Sequence, residues 1–279
     1  MKKIRMMTAA CLLAGLVLAG CSRQTQFTYE GSRLESMARD LQENAQADSF
    51  AKNLCVITGE EGEEDASVTA EAAAAFGIDS KQVIFQKKPF ERLYPASITK
   101  IMTALIAIRD GDLTDSVTVG PETVITETGA SLAHINPGDT LTMEQLLYGL
   151  MLPSGNDAGA AIAVHMAGST EAFAEKMNET AHALGATDTH FVNPHGLNNE
   201  DHYTTAYDLY LIFNEALKYP EFRKIIGTVS YQAQYTDSTG QAKTQEWKNS
   251  NQYLNGKSKA PEGVAVIGGK TGTTRAAGS

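Results

Sequence analysis

Two stretches of the sequence place a serine three residues before a lysine: "YPASITK", with Ser97 and Lys100, and "SFAK", with Ser49 and Lys52. A serine hydroxyl is almost never ionised near neutral pH, so it attacks a carbonyl only with a base within hydrogen-bond reach. On a helix, residues i and i+3 share a face with side chains about 5–6 Å apart, which brings an amine beside the hydroxyl. Lysine serves as that base only when neutral, and neutrality requires burial or a second cation to lower its pKa. A chain of this length yields on the order of one such pair by chance, so spacing alone does not choose between them. Two further stretches carry polar groups suited to the same chemistry. "PSGN" offers Ser154 and Asn156, and "GGKTGTT" offers Lys270, Thr271, Gly272 and Thr273. Lys-Thr-Gly occurs once in the chain, against a chance expectation of roughly a tenth.

The elements around each pair separate them. Ser49 sits in a polar stretch with no apolar face behind it. Ser97 follows Pro95, which suits a first helical turn. It heads a run in which Ile98, Ile101, Met102, Leu105 and Ile106 recur at helical spacing. The free N–H groups and positive dipole end of that helix favour developing negative charge at the serine. Lys100, between the core-facing Ile98 and Ile101, is placed for partial burial. "PSGN" falls in the break between two apolar helices, the first opened by a capping box from Thr142 to Gln145. Further helices are predicted for "EAFAEKMNETAHALGA" and "TTAYDLYLIFNEALKYP", the latter closed by Pro220. Strands are predicted for "NLCVIT", "AAAAFGID" and "QVIFQKKP" early in the chain. Late strands are "VSYQAQYT" and "QAKTQEW" around the turn "DSTG", then "GVAVIGGKTGTT". Strands at both ends and helices between predict an α/β (α+β) fold, an antiparallel sheet flanked by helices with an inserted all-helical lobe over about 110–228.

The 279 residues have ordinary globular composition and a net charge of −10. "MKKIR" followed by "MMTAACLLAGLVLAG" is a basic segment and an apolar one too short for a stable membrane span. It ends in "LAGC", which resembles the lipobox of bacterial lipoproteins. That resemblance implies export, lipidation of Cys21, and an anchor holding the protein at the extracytoplasmic face of a bacterial membrane. Residues 1–21 are then a lipoprotein signal, 22–47 a polar tether, and 48–279 the catalytic domain. Processing removes three basic residues and no acids, leaving a net charge of −13, which argues against nucleic acid as a partner. Only Cys55 then remains as a thiol, so there is no internal disulfide. Its apolar setting predicts a small core residue. The acidic run after "NLCVIT" reads as a solvated loop. His190, His195 and His202 match no zinc spacing, and His195 reads as structural in the turn after "FVNP".

Taken in order, Ser-x-x-Lys, Ser-x-Asn and Lys-Thr-Gly form the signature of penicillin-binding proteins and β-lactamases. From about residue 50 onward the sequence resembles the low-molecular-weight serine D-alanyl-D-alanine carboxypeptidases. "FVNPHGL" followed by "HYTTAYDL" points to that branch. The resemblance implies a β-lactamase/DD-peptidase-like fold and acyl transfer to Ser97, with Lys100 as general base and Ser154 as proton relay. It implies that Asn156, Lys270, Thr271, Gly272 and Thr273 bind substrate. Within that set Lys270 lowers the pKa of Lys100 and steers the terminal carboxylate, and the N–H groups of Ser97 and Thr273 form an oxyanion hole. The substrate implied is a peptidoglycan stem peptide ending in D-Ala-D-Ala, with β-lactams as covalent inhibitors and neither cofactor nor metal. A class A β-lactamase is the nearest rival, but no Glu-x-x-Leu-Asn segment lies between Asn156 and Lys270. A biosynthetic transpeptidase would normally be longer, and a non-catalytic lipid-tethered β-lactam sensor or wall-binding protein would release no D-alanine. Seven residues follow Gly272, whereas the family continues with further strands and a C-terminal helix. The expectation is an incomplete product, unstable or weakly active in this form.

Overall fold

The computed structural model describes residues 51–58, 66–274 and 277. The signal, Cys21, the tether and Ser49 lie outside the described residues. From Leu54 onward the chain forms one compact unit.

Its centre is helix α1 (Lys100–Asp110), entered through a 3₁₀ turn at Ala96–Thr99. Ile101, Met102, Leu105 and Ile106 are all buried, and each contributes about 1.5–3 kcal/mol of hydrophobic stabilisation. The other α-helices among the described residues are α2 (Met143–Met151), α3 (Asn156–Ala167), α4 (Thr170–Ala183), α5 (Ala206–Ala216) and α6 (Pro220–Gly227). α1 touches every one of them. The capping box is present at α2: Thr142 Oγ1 accepts from Gln145 N, and Gln145 Oε1 accepts from Thr142 N. α3 is built from small residues, which lets neighbouring backbone approach closely. A Cβ on Gly159 would already touch Leu150 and His195 at 3.2 and 3.4 Å.

The strands are antiparallel, as expected, but they form two sheets. β1 (Ala73–Gly77) pairs with β2 (Gln82–Lys87). The second sheet runs β3 (Ser116–Thr118), β4 (Thr140–Thr142), β5 (Ser230–Thr236), β6 (Ala242–Lys248). β3 and β4 therefore lie inside the stretch expected to be all-helical. The hairpin β5–β6 is in register from Ser230↔Lys248 to Thr236↔Ala242, and its inward face alternates as a half-buried strand requires. Trp247 is buried on that face, with its Nε1–H donating to Ala133 O at 2.8 Å.

Two predicted strands are absent from the ladders among the described residues. Around Cys55 the backbone is satisfied by tyrosines of α5 instead. Cys55 N donates to Tyr210 Oη at 2.7 Å, and Tyr207 Oη donates to Cys55 O at 3.0 Å. Cys55 itself is fully buried, as its apolar setting predicted. The stretch 264–270 joins no ladder among the described residues, and within it Gly268 takes φ 136° to pass Ile226, where a Cβ would lie 2.5 Å from the carbonyl oxygen.

Candidate active site

Ser97 does not head the α-helix; it lies in the 3₁₀ turn before it. The difference favours the pair, because three residues per turn make i and i+3 side chains eclipse. Lys100 Nζ is 3.0 Å from Ser97 Oγ. Lys100 is wholly buried rather than partly so. Its Nζ also donates to Asn156 Oδ1 at 2.7 Å and to His195 O at 2.6 Å. A neutral amine has two N–H donors and one lone pair. In the neutral form, with both donors committed to Asn156 and His195, the lone pair falls to the Ser97 hydroxyl; in the charged form the third N–H donates to it. Burial drives the Lys100 pKa well below its ordinary value, and the charge of Lys270 lowers it further, against an opposing pull from Asp157. Those are the conditions a lysine base requires.

Backbone strain is concentrated beside these groups. Ala96, immediately before Ser97, has φ 48°, and Ser154 has φ 65°. Left-handed conformations cost non-glycine residues on the order of 1–3 kcal/mol and persist where surrounding structure imposes them. At Ala96 the imposing contact is Gly196: a Cβ there would lie 1.8 Å from Ala96 O. Ser154 Oγ is buried and has no hydrogen-bond partner among the described residues. An orphaned buried hydroxyl costs about 1–3 kcal/mol, so its retention points to use by something that binds there.

The third stretch lies against the nucleophile turn. A Cβ on Gly272 would sit 2.9 Å from Pro95 O and 3.0 Å from Ile98 N, so only glycine fits. Lys270 Nζ donates to Thr271 O at 2.7 Å, and burial lowers its pKa to about 8. Thr271 Oγ1 is 3.2 Å from Ser250 Oγ, and Thr273 is exposed. The structure thus gathers Ser97, Lys100 and Asn156 by direct hydrogen bonds and packs the Lys270–Gly272 segment beside them.

Two contributors were not legible as site residues. His195 acts through its carbonyl oxygen, an atom every residue possesses. Asp157 is buried and accepts from Ala133 N, Ala158 N and Ile135 N at 2.8, 2.9 and 3.2 Å, holding the 133–135 segment to the start of α3. Burial raises its pKa, and the amide bonds oppose that rise. Its position directly after Asn156 at a helix start was the available signal.

A family model described as D-alanyl-D-alanine carboxypeptidase matches residues 59–279. The chain is 38% identical over 174 residues to the D-alanyl-D-alanine carboxypeptidase DacF of Bacillus subtilis, covering 61% of this chain and 45% of that one. It is 34% identical over 218 residues to the D-alanyl-D-alanine carboxypeptidase of Streptomyces sp. strain K15, covering 74% and 73%. The crystal structure of the Streptomyces K15 DD-transpeptidase superposes with a TM-score of 0.68 at 36% identity, over 75% of this chain and 83% of that one. The chain therefore spans less than half the length of the Bacillus relative.

Proposed function

From its membership of the D-alanyl-D-alanine carboxypeptidase family, which the match over residues 59–279 establishes, we propose that this chain carries the catalytic unit of a serine D-alanyl-D-alanine carboxypeptidase. The single observation that carries the reading is Lys100, buried, with its Nζ 3.0 Å from Ser97 Oγ and held there by Asn156 Oδ1 and His195 O. Ser97 Oγ attacks the carbonyl carbon between two terminal D-alanines while Lys100 Nζ takes its proton. Charge on the carbonyl oxygen is met by the N–H groups of Ser97 and Thr273. Ser154 passes a proton to the departing amine, Asn156 holds the substrate amide, and Lys270 and Thr271 hold the terminal carboxylate. Gly272 admits the substrate backbone close to the strand. Water then cleaves the acyl-enzyme, releasing the shortened stem peptide and restoring Ser97. β-Lactams, which present a strained amide to the same serine, acylate it and leave slowly.

The test is labelling with fluorescent penicillin, together with release of free D-alanine from a D-Ala-D-Ala pentapeptide. Wild type and Ser49→Ala are expected to label and turn over. Ser97→Ala is expected to do neither, and labelling that survives Ser97→Ala overturns the assignment. A second reading, transfer of the acyl group to an amine rather than water, is favoured by the likeness to the Streptomyces K15 DD-transpeptidase. Supplying glycine or a D-amino acid as acceptor and analysing the products separates the two.

The "LAGC" motif supports an exported protein lipidated at Cys21. Among the described residues no helix is long and apolar enough to cross a membrane. Mass spectrometry of the N-terminal peptide from the membrane fraction tests the anchor. An unmodified Cys21 in that peptide refutes it.

A further inference from the structure

The stretch "HYTTAYDL" has no part in the chemistry above, yet its histidine reaches the nucleophile turn. His202 is buried at 2% exposure. Its Nδ1 accepts from Val192 N at 3.1 Å. A neutral imidazole has one donor and one acceptor, so the proton is on Nε2. Nε2 lies 2.8 Å from Thr99 Oγ1, which therefore accepts from it. The Thr99 hydroxyl hydrogen goes in turn to Ala96 O at 2.8 Å. Each donor and acceptor in this chain has one consistent assignment.

Both ends of the chain carry active-site geometry. Ala96 is the left-handed residue before Ser97, and its carbonyl is the atom against which Gly196 packs. Val192 begins the segment whose Pro194 O accepts from Thr103 Oγ1 at 2.6 Å and whose His195 O accepts from Lys100 Nζ at 2.6 Å. The ring is fixed from the side by Phe191, edge-on at 5.5 Å between centroids.

We infer that His202 is a positioning residue that, as the Nε2–H tautomer, clips the nucleophile turn to the loop whose carbonyl orients Lys100. It touches neither substrate nor reacting atoms. Burial lowers its pKa to about 4, so the ring is neutral near neutral pH, and the Val192 N–H then keeps the proton on Nε2. The inference rests on the acyl-transfer reading of Ser97, and its test is arranged to fail separately.

The experiment measures the rate of acylation by fluorescent penicillin in wild type, His202→Ala, Thr99→Val and the double variant, at a temperature where calorimetry shows each folded. Displacing reacting groups by about an ångström costs up to roughly a hundredfold. Each single variant is expected to lose ten- to a hundredfold in the acylation rate constant with little change in initial affinity. The double variant is expected to lose no more than the worse single one, because both break one chain. Nitrogen-15 NMR of the wild type is expected to show His202 protonated at Nε2 and not at Nδ1. Folded variants acylating at the wild-type rate, or an Nδ1–H tautomer, overturn the inference. Undiminished labelling of Ser97→Ala instead overturns the reading of the nucleophile and leaves the tautomer result standing.

Discussion

Asn156 Oδ1 lies 2.7 Å from Lys100 Nζ, so the second polar stretch of the sequence holds the amine of the first. An amide oxygen accepts a hydrogen bond from the neutral amine without favouring its protonation as a carboxylate would. Asn156→Asp places a formal charge at that distance and is expected to keep Lys100 protonated. The predicted outcome is a loss of acylation by about 10²-fold or more near neutral pH, with partial recovery in alkali. A flat response of the penicillin acylation rate to this substitution contradicts the role of Lys100 as base.

The two lysines set opposite limbs of a pH profile. Acylation needs neutral Lys100, so its rate rises with pH through that residue's lowered pKa. It also needs charged Lys270, whose pKa is about 8, so the rate falls above that value. Removing the cation in Lys270→Gln favours the protonated form of Lys100. The rising limb is therefore expected to move to higher pH, and the falling limb to disappear. Stopped-flow acylation across the pH range reads both.

Much of this arrangement was legible because it rests on short-range rules. Ser97 and Lys100 needed only one turn of helix, the Thr142–Gln145 box only a capped start, and β5–β6 only alternation around "DSTG". What was not legible depended on who meets whom in space. The "NLCVIT" stretch has strand composition, but Tyr207 and Tyr210, over 150 positions away, supply its hydrogen bonds. "GVAVIGG" also reads as a strand, but it joins no ladder among the described residues, and the close approach of its Gly268 to Ile226 is a contact no local pattern encodes. The carbonyl of His195 is silent in sequence for the simpler reason that side-chain type does not identify it.

Gly196 and Gly240 have similar left-handed backbones, with φ 86° and 83°, but opposite surroundings. Gly240→Ala meets nothing within 4 Å and is expected to cost about 1 kcal/mol, the conformational penalty alone. Gly196→Ala drives its Cβ into Ala96 O and is expected to cost at least about 3 kcal/mol and to abolish acylation. Calorimetry of the two variants side by side checks the contrast.

At the C-terminal end of α1, Asp110 accepts from Arg109 Nε at 2.7 Å and pairs with Lys176 of α4 at 2.9 Å. The hydrogen bond from Arg109, with help from Lys176, lowers its pKa to about 2. A depressed carboxylate contributes stability above its unfolded pKa and loses it as pH falls through the folded value. Asp110→Asn is expected to cost about 1 kcal/mol near neutral pH, after allowance for solvent screening. The gap between variant and wild type should close as pH falls from about 4 to about 2. Urea titrations at several pH values measure that convergence.

Trp247 is the only tryptophan in the chain. Its indole N–H ends on Ala133 O, and the amide of that same residue is held by Asp157, next to Asn156. The molecule thus contains a native fluorophore coupled through one residue to the segment that steadies Lys100. Its emission is shielded from water in the folded protein. Any repacking of the 133–135 segment as an acyl group arrives on Ser97 changes the polarity around the indole. Trp247 emission, followed without a label after mixing with penicillin, would then time the proposed acylation of Ser97.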